Sequence, residues 1–235
     1  MIAHDIVDRE AWLAARKRLL QEEKEFTRAR DALAAKRREM PWLRVDQTYV
    51  FDGPEGRVGL GELFGPHRQL LVYHFMFAPG WTKPCKSCSF WADNFNGAVP
   101  HLARRDTRLV AVSRAPLETL AARAAEARYV FPWYSQGDGA FNYDFGVSFR
   151  SEEVKAGKAT YNYAPNARDM TDLPGISAFV KADGEIFHTY SAYARGLDVI
   201  NGAYHMLDLT ALGRQEDALP FPMSWVRLKE DYEAL

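Results

Sequence analysis

The only two cysteines of this chain, Cys85 and Cys88, stand two residues apart and follow an apolar run at positions 70–78. A segment that can form a helix comes after them. A strand that leads into a Cys-x-x-Cys turn and then a helix puts the first sulfur beside free backbone N–H groups, which stabilise a thiolate. Lys83 and Lys86 add positive charge to this stretch. The pattern therefore favours a fold built around a strand, a reactive turn and a helix.

Composition narrows the class of protein. The 235 residues are 47% hydrophobic and 13% aromatic, which is typical of a globular chain with a substantial core. A net charge of −1 argues against a general nucleic-acid binder, and no apolar run reaches the roughly 18 residues of a membrane span. The polar, acidic start is unlike a signal peptide. We therefore expect a cytoplasmic protein without nucleic-acid or membrane partners, in which a Cys-x-x-Cys is catalytic or metal-binding.

The first forty residues predict one long helix over 5–39, capped by Asp5 and ended by Pro41. We expect positions 1–45 to form a helical extension and 46–235 the main domain. The apolar stripe of this helix needs a partner, either the chain's own core or a second copy, so a homodimer through the helix is one expectation. The stripe recurs every seven residues, at Trp12, Leu19, Phe26, Leu33 and Met40.

The rest of the chain alternates strand and helix patterns and closes with a hairpin around Asp183-Gly184. This order predicts an α/β protein of thioredoxin-like fold, with a mixed central sheet flanked by helices and an aromatic-rich insertion at about 135–172. The predicted elements are a hairpin within 47–60, strands at 69–78, 107–113 and 129–134, helices at 89–104, 116–128 and 198–212, the hairpin 175–190, and a last short helix within 225–232.

Short motifs in one order along nearly the whole chain carry a family resemblance. They are Cys85 to Phe95, Pro100 to Leu102, Ser113 to Leu117, Phe131 to Trp133, Phe141 to Phe145, Phe187 to Ser191, Tyr193 to Gly196 and Leu207 to Leu209. With these motifs the chain resembles the bacterial family catalogued as domain of unknown function 899, a thioredoxin-like group of predicted dithiol-disulfide oxidoreductases. The resemblance implies a fold and a predicted chemistry, and it names no substrate.

In the dithiol interpretation, Cys85 attacks a disulfide and forms a mixed disulfide with the substrate. Cys88, nearly one turn into the helix, then attacks the Cys85 sulfur and releases the reduced product. We predict no cofactor, and the partner is a thiol or disulfide substrate, protein or small molecule. The supporting candidates around the pair are Lys83, Pro84, Lys86, Pro174, Trp81, Trp91 and Trp133.

Two of these predictions concern what faces the dithiol. Thioredoxins place a cis proline there, and Pro174 is the candidate for it. Trp81, Trp91 and Trp133, with Tyr134 and Tyr143, are candidates for the wall of a groove, although packing in the core is the commoner role for such residues.

A peroxidase-like variant of the chemistry needs a hydroxyl three residues before the reactive cysteine and a guanidinium from elsewhere in the chain. Thr82 fits the spacing, and Arg114 or Arg195 are candidates for the guanidinium.

Two other functions stay open at this point. One is a copper-delivery-like site that uses Cys85, Cys88 and His188 as ligands. The other is a non-catalytic module that binds a partner through the insertion or the N-terminal helix. We expect His74, inside the apolar run, to be a hydrogen-bonded core residue rather than a ligand.

Overall fold

The computed structural model describes residues 4–232. The chain divides into two compact units, Met1–Pro41 and Trp42–Leu235, whereas the sequence prediction put this boundary after residue 45. The first unit is helix α1, Arg9–Glu39, which begins later than predicted because Asp8, and not Asp5, caps it. The Asp8 carboxylate accepts the Ala11 N–H at 2.8 Å, which pairs one of the free donors of the first turn.

Helix α1 buries none of its side chains. The predicted apolar stripe is exposed along its whole length, from 46% at Met40 to 69% at Phe26. No helix within residues 4–232 is both long and apolar enough to cross a membrane. A cytoplasmic location stays a prediction.

The second unit is built on a sheet with strands in the order β1-β10-β9-β4-β5-β6-β2-β3, and β7 and β8 form a separate two-stranded sheet. Strand β4 runs parallel to β5 and antiparallel to β9. The strands are β1 Leu43–Arg44, β2 Val50–Gly53, β3 Gly56–Gly59, β4 Gln69–His74, β5 Thr107–Ser113, β6 Trp133–Ser135, β7 Thr160–Tyr161, β8 Ala164–Pro165, β9 Gly175–Ala182 and β10 Glu185–Tyr193.

Short helices connect and cover these strands. The three parallel strands β4, β5 and β6, followed by the antiparallel β9–β10 hairpin and with a Cys-x-x-Cys helix after the central β4, make this a thioredoxin-like α/β fold, as the sequence predicted. The helices are α2 Lys86–Ala92, α3 Val99–Ala103, α4 Leu117–Glu126, α5 Phe141–Asp144, α6 Ser151–Lys155 and α7 Gly202–Leu207, with 3₁₀ turns at Glu62–Phe64, Ala194–Ile200 and Lys229–Asp231.

The hairpin turn between β9 and β10 is set by its two residues. Asp183 and Gly184 have φ values of 52° and 82°, the left-handed region that glycine and aspartate tolerate best. The Asp-Gly pair therefore specifies this turn from the sequence alone.

Strand β4 is shorter than predicted because its neighbours end beside it. His74 pairs with Gly175, the first residue of β9, and with Val112 near the end of β5. Residues 75–78 stay buried beyond the strand, and the Phe75 N–H still donates to the Val112 carbonyl at 2.9 Å. The Phe77 carbonyl accepts hydrogen bonds from the Ala115 N–H and the Ser113 hydroxyl.

Alternate residues of β4 enter two different cores, so the strand is covered on both faces as expected. Tyr73 packs with Cys88, Trp91 and Trp133 on one side of the sheet, called here the dithiol face. Leu70 and Val72 pack with other aromatic residues on the opposite side. His74 stacks on Phe141, which belongs to that second core, and we call this side the histidine face.

Three predicted elements differ in the structure. The helix expected over 89–104 is two helices, α2 and α3, because the chain turns at residues 93–98. The third strand is confined to Trp133–Ser135, and the closing helix is a 3₁₀ turn followed by α7, which Asn201 caps through a hydrogen bond from the Tyr204 N–H. The aromatic-rich stretch packs partly around a small core of its own, which contains Phe149 and Tyr161, and partly into the core of the histidine face through Phe141 and Phe145.

Candidate dithiol site

Cys85 lies at the N-cap of α2, where the chain returns to the end of β4. Its own N–H donates to the Met76 carbonyl at 3.1 Å, and the imino nitrogen of the preceding Pro84 has no proton to donate. Its sulfur accepts the Cys88 N–H at 3.4 Å. Both cysteines are free thiols in this structure, Cys85 partly exposed and Cys88 buried. The sulfur of the partly exposed cysteine thus accepts a backbone N–H.

The pKa of Cys85 is lowered to about 7. The largest cause is a hydrogen bond from the Cys88 thiol, and the Cys88 and Ser87 N–H groups and the charge of Lys86 act in the same direction against burial. At neutral pH a large share of Cys85 is therefore thiolate, the form that attacks disulfides.

Cys88 shows the opposite shift. Burial raises its pKa well above the ordinary value, and the neighbouring Cys85 raises it further. Because one proton is shared between two close sulfurs, the first sulfur carries the charge and the second keeps the proton. The pair can therefore supply a thiolate nucleophile at Cys85 and a protonated thiol at Cys88.

The two lysines of the motif are held by the C-terminal segment. The Lys86 ammonium donates to the Ser224 carbonyl at 3.3 Å and is among the causes of the low Cys85 pKa. Lys83 forms an exposed ion pair with Asp231 at 3.5 Å and is not among those causes. Of the two predicted helpers, only Lys86 acts on the sulfur.

The predicted aromatic wall separates into core and surface residues. Trp91 is buried and donates its indole N–H to the Leu197 carbonyl at 2.7 Å. Trp133 is buried against Phe75. Both pack in the core that contains Cys88, so neither lines an open groove. Trp81 is 37% exposed and borders a cavity of about 270 Å³ between the cysteine loop and helix α6.

The other two aromatic candidates lie away from the cysteines. Tyr134 is buried in the core of the histidine face. Tyr143 lies between the guanidinium groups of Arg114 and Arg150, at the edge of a larger cavity of about 570 Å³. Neither cysteine is among the residues that line that cavity.

Pro174 lies just before β9, and its carbonyl accepts a hydrogen bond from the Tyr161 hydroxyl at 2.7 Å. The prediction that it is a cis proline is wrong, because no peptide bond within residues 4–232 is cis. The backbone before it is held extended, since Leu173 N–H donates to the Val147 carbonyl and Asp172 bridges to Ser148.

The two candidate guanidinium groups of the peroxidase-like variant pair with carboxylates. Arg114 is engaged by the buried carboxylate of Asp172 at 3.1 Å, and Arg195 is exposed and pairs with Asp198 at 2.8 Å. Thr82 is exposed on the loop. None of the three is among the causes of the Cys85 pKa shift.

The predicted three-ligand metal site is contradicted by the geometry. His188 packs edge-on against Phe145 at 5.1 Å and near Phe179, on the histidine face, whereas both cysteines belong to the dithiol face. No group of three or more histidine, cysteine and carboxylate side chains within the described residues has metal-binding geometry. Sequence order could not reveal this, because β10 contributes residues to both faces.

His188 instead ends a buried chain of hydrogen bonds, called here the histidine chain. His188 Nε2 lies 2.7 Å from the Ser191 hydroxyl, which lies 2.8 Å from that of Ser177. The Ser177 hydroxyl lies 2.8 Å from His74 Nε2, and His74 Nδ1 lies 2.9 Å from Asn142 Oδ1. Since the amide oxygen only accepts, His74 carries its proton on Nδ1 and every link can point the same way. His74 is thus a satisfied core residue, as expected.

Sequence reasoning missed two tyrosines in the neighbourhood of Cys88. Tyr73 is fully buried, and its hydroxyl donates to the Cys88 carbonyl at 3.1 Å. Burial raises the pKa of Tyr161 to about 12, and the nearby Cys88 contributes in the same direction. The alternation along β4 places Tyr73 on one face with Leu71 and Phe75, but it does not say which face receives the cysteines.

Comparison with known proteins places the chain in a family. The family model described as bacterial protein of unknown function (DUF899) matches residues 1–232. The chain belongs to this DUF899 family. Among curated proteins, none matches it.

Solved structures similar to this DUF899 chain are peroxiredoxins. Peroxiredoxin Q of Xanthomonas campestris shares 17% identity at a TM-score of 0.48, over 70% of this chain and 95% of that one. Peroxidoxin BcpB of Mycobacterium tuberculosis shares 14% at 0.48, over 72% and 97%. The X. campestris bacterioferritin comigratory protein shares 16% at 0.48, over 70% and 96%. At this level the likeness carries no argument about activity.

Proposed function

We propose that the protein is a thiol-disulfide oxidoreductase in which Cys85 attacks and Cys88 resolves. The observation that carries the proposal is the opposite displacement of the two thiol pKa values, lowered at the partly exposed cysteine and raised at the buried one. A partly exposed thiolate beside a protonated thiol one helical turn away is the arrangement that two-step disulfide exchange requires.

The reaction transfers two electrons from the dithiol to a disulfide. The Cys85 thiolate attacks one substrate sulfur, the substrate S–S bond breaks, and the departing sulfur leaves with the electron pair and takes up a proton. Cys88 then loses its proton and attacks the Cys85 sulfur. The second substrate thiol leaves, and the protein is left with a Cys85–Cys88 disulfide.

The experiment is a redox titration of the pair. The protein is equilibrated with thiol-disulfide buffers of graded potential, remaining thiols are alkylated, and the mass is measured. We expect a single two-electron transition to an intramolecular disulfide. Cys85→Ser and Cys88→Ser are matched controls, since neither retains a second thiol. A pair that stays reduced at every oxidising potential would contradict the proposal.

Substrate capture uses the same variants. With Cys88→Ser the mixed disulfide on Cys85 cannot be resolved, so partner thiols should stay attached and be released by reductant. Cys85→Ser is the control, because the buried Cys88 is not expected to trap partners. Equal capture by both variants would mean that the trapping is unspecific.

The exposed stripe of α1 supports a second, separate proposal, that two copies of the chain pair through this helix. Five large apolar side chains, from Trp12 to Met40, recur every seven residues and are 46% or more exposed. A seven-residue apolar repeat is the spacing at which helices supercoil around each other. Light scattering should give a dimer mass, and Phe26→Glu should give a monomer with an unchanged dithiol. A monomeric wild-type protein would contradict the pairing through α1, and it would have no bearing on the proposed redox function.

A further inference from the structure

The larger cavity, of about 570 Å³, lies within the aromatic-rich insertion, and the reaction proposed above does not use it. Small-molecule sites in proteins have volumes of roughly 300–1,000 Å³, so this cavity is of the right size for one. Helices α5 and α6, the β7–β8 turn and the end of β10 supply its walls. Elements that are distant in the sequence therefore meet around one space.

The walls of this cavity are largely aromatic and are held by contacts within the protein. Tyr193 donates its hydroxyl to the Phe145 carbonyl at 2.9 Å, and its ring meets that of Tyr163 edge-on with 5.5 Å between the centroids. The Tyr163 hydroxyl donates to the Ser191 carbonyl at 3.3 Å. Walls that are already in place lower the entropic cost of binding a ligand. The aromatic side chains are Tyr143, Phe145, Phe149, Tyr163 and Tyr193.

Tyr163 occupies its place in the wall against the preference of its backbone. Asn162 and Tyr163 form the two-residue turn between β7 and β8, with φ values of 52° and 63°. Such a turn needs a positive φ at both positions, and glycine is the usual second residue. A bulky residue there is strained, and strain of this kind collects at functional sites. Tyr163 is 75% exposed, so burial in a core does not explain the choice of a tyrosine.

The charges that line the cavity differ in whether they have partners. Neither Arg150 nor Lys158 forms an ion pair with a carboxylate within residues 4–232. The lining carboxylates do have donors. Asp144 accepts the Tyr49 hydroxyl at 2.8 Å, and Glu153 accepts a backbone N–H at 3.0 Å. The group that this cavity lacks is therefore an anion.

We propose that the cavity binds a small organic anion with a flat apolar body, such as an aromatic carboxylate. The aromatic side chains contact the body of the ligand, and Arg150 and Lys158 bind its charged group. The inference goes beyond the proposed thiol-disulfide exchange and does not depend on it, because neither cysteine lines the cavity.

Three naphthalene compounds of similar shape and different charge test the assignment: 2-naphthoate, 2-naphthylmethanol and 2-naphthylmethylamine. Equilibrium dialysis against the full-length reduced protein measures how tightly each one binds. We expect 2-naphthoate to bind with a dissociation constant below about 1 mM, and about tenfold more tightly than the amine. Failure of all three compounds to bind would overturn the proposal. Equal affinity for the acid and the amine would overturn the choice of an anion.

Matched double variants test whether the two cations form the site. Arg150→Gln with Lys158→Gln should weaken the binding of 2-naphthoate by about tenfold and leave that of the neutral alcohol within about twofold. The control is Lys155→Gln with Arg168→Gln, which removes two exposed cations of the same insertion that do not line this cavity. Equal losses in the two double variants would overturn the assignment to Arg150 and Lys158.

Tyr163→Gly separates binding from folding. Glycine suits this backbone, so the urea midpoint should stay close to that of the wild type, whereas loss of the ring should weaken 2-naphthoate and 2-naphthylmethanol alike, by about tenfold. Tyr163→Phe keeps the ring and should bind both compounds as the wild type does. Wild-type affinity in Tyr163→Gly would overturn the placement of the ligand against this wall.

Discussion

Both faces of the central sheet bury polar groups, but the pKa shifts and the hydrogen-bond partners of these groups differ between the two faces. On the dithiol face, one partly exposed sulfur has a lowered pKa while its buried neighbour has a raised one. On the histidine face, His74 and His188 have hydroxyl and amide partners within one linear chain of hydrogen bonds. Burial is the main cause that lowers the pKa of both histidines, so both stay neutral.

This difference separates a reactive site from a structural network. The histidine chain satisfies its own donors and acceptors and does not depend on a ligand, so its contribution is to stability and to the fixed register of β4, β9 and β10. The cysteine pair instead favours a thiolate on the partly exposed Cys85, held by N–H groups and by a thiol that the proposed reaction would use in its second step. Chemistry is therefore expected on the first face and stability on the second.

The largest expected effect is on activity. Cys85→Ser should lower the rate of disulfide reduction by about a thousandfold or more, since a serine hydroxyl is not a thiolate at neutral pH. The matched control is His188→Gln on the other face, which should stay within about twofold. Reduction of dithiobis(nitrobenzoate) under excess reductant measures both. A large loss of activity in His188→Gln would show that the two faces are coupled.

Breaking the histidine chain should cost stability instead. His74→Leu removes the fully buried ring and leaves the Asn142 oxygen and the Ser177 hydroxyl without their partner, at a cost of about 3 kcal/mol in the free energy of unfolding. Urea denaturation measures it. Cys85→Ser, on the other face, should change the unfolding free energy by less than about 1 kcal/mol. Equal losses in both variants would remove the distinction between the faces.

The histidine face should also make stability fall in acid. The pKa of His74 drops from 6.5 to about 4 on folding, so the unfolded chain takes up the proton first as the pH decreases. Stability is complete above the unfolded pKa and is lost through this window, by about 2 kcal/mol between about pH 7 and pH 5. Unfolding at a series of pH values in wild type and His74→Leu should show a shallower slope in the variant. Parallel slopes would mean that other groups cause the acid sensitivity.

A smaller effect concerns the sulfur itself. The rate of Cys85 alkylation by iodoacetamide should reach half its maximum at about pH 7, since its pKa is lowered to that value. Cys88→Ala removes the largest cause of the lowering and should move the midpoint upwards. Ser87→Ala keeps the backbone donor and should not. An alkylation midpoint that is the same in the wild type and in Cys88→Ala would contradict the description of one proton shared between the two sulfurs.

The smallest effect distinguishes the two lysines. Lys86→Gln should raise the alkylation midpoint slightly, because its charge is the last of the causes that lower the Cys85 pKa. Lys83→Gln should leave it in place, since that lysine pairs with Asp231 in an exposed position. The same titration at raised salt should reduce the Lys86 effect. A larger shift from Lys83 than from Lys86 would reverse the assignment.

The sequence by itself determined the thioredoxin-like fold and the position of the dithiol at a helix start, and its short motifs carried the family resemblance. These follow from local patterns: the apolar run before the cysteines, the two-residue spacing between them, and the Asp183-Gly184 turn whose backbone few residues tolerate. Each is a property of neighbouring residues, so one chain without homologues was enough to predict it. It also predicted correctly that His74 is a core residue.

Only the tertiary structure decided what surrounds the sulfurs. It shows that His188 lies on the face opposite the cysteines, that the peptide bond before Pro174 is not cis, and that Tyr73 packs against Cys88. A strand pattern shows which residues share a face, but the face that receives a distant segment depends on how the strands order themselves in the sheet. The partners of the cysteines come from β4, from the loop after it and from a segment near residue 224, and only packing brings them to one point.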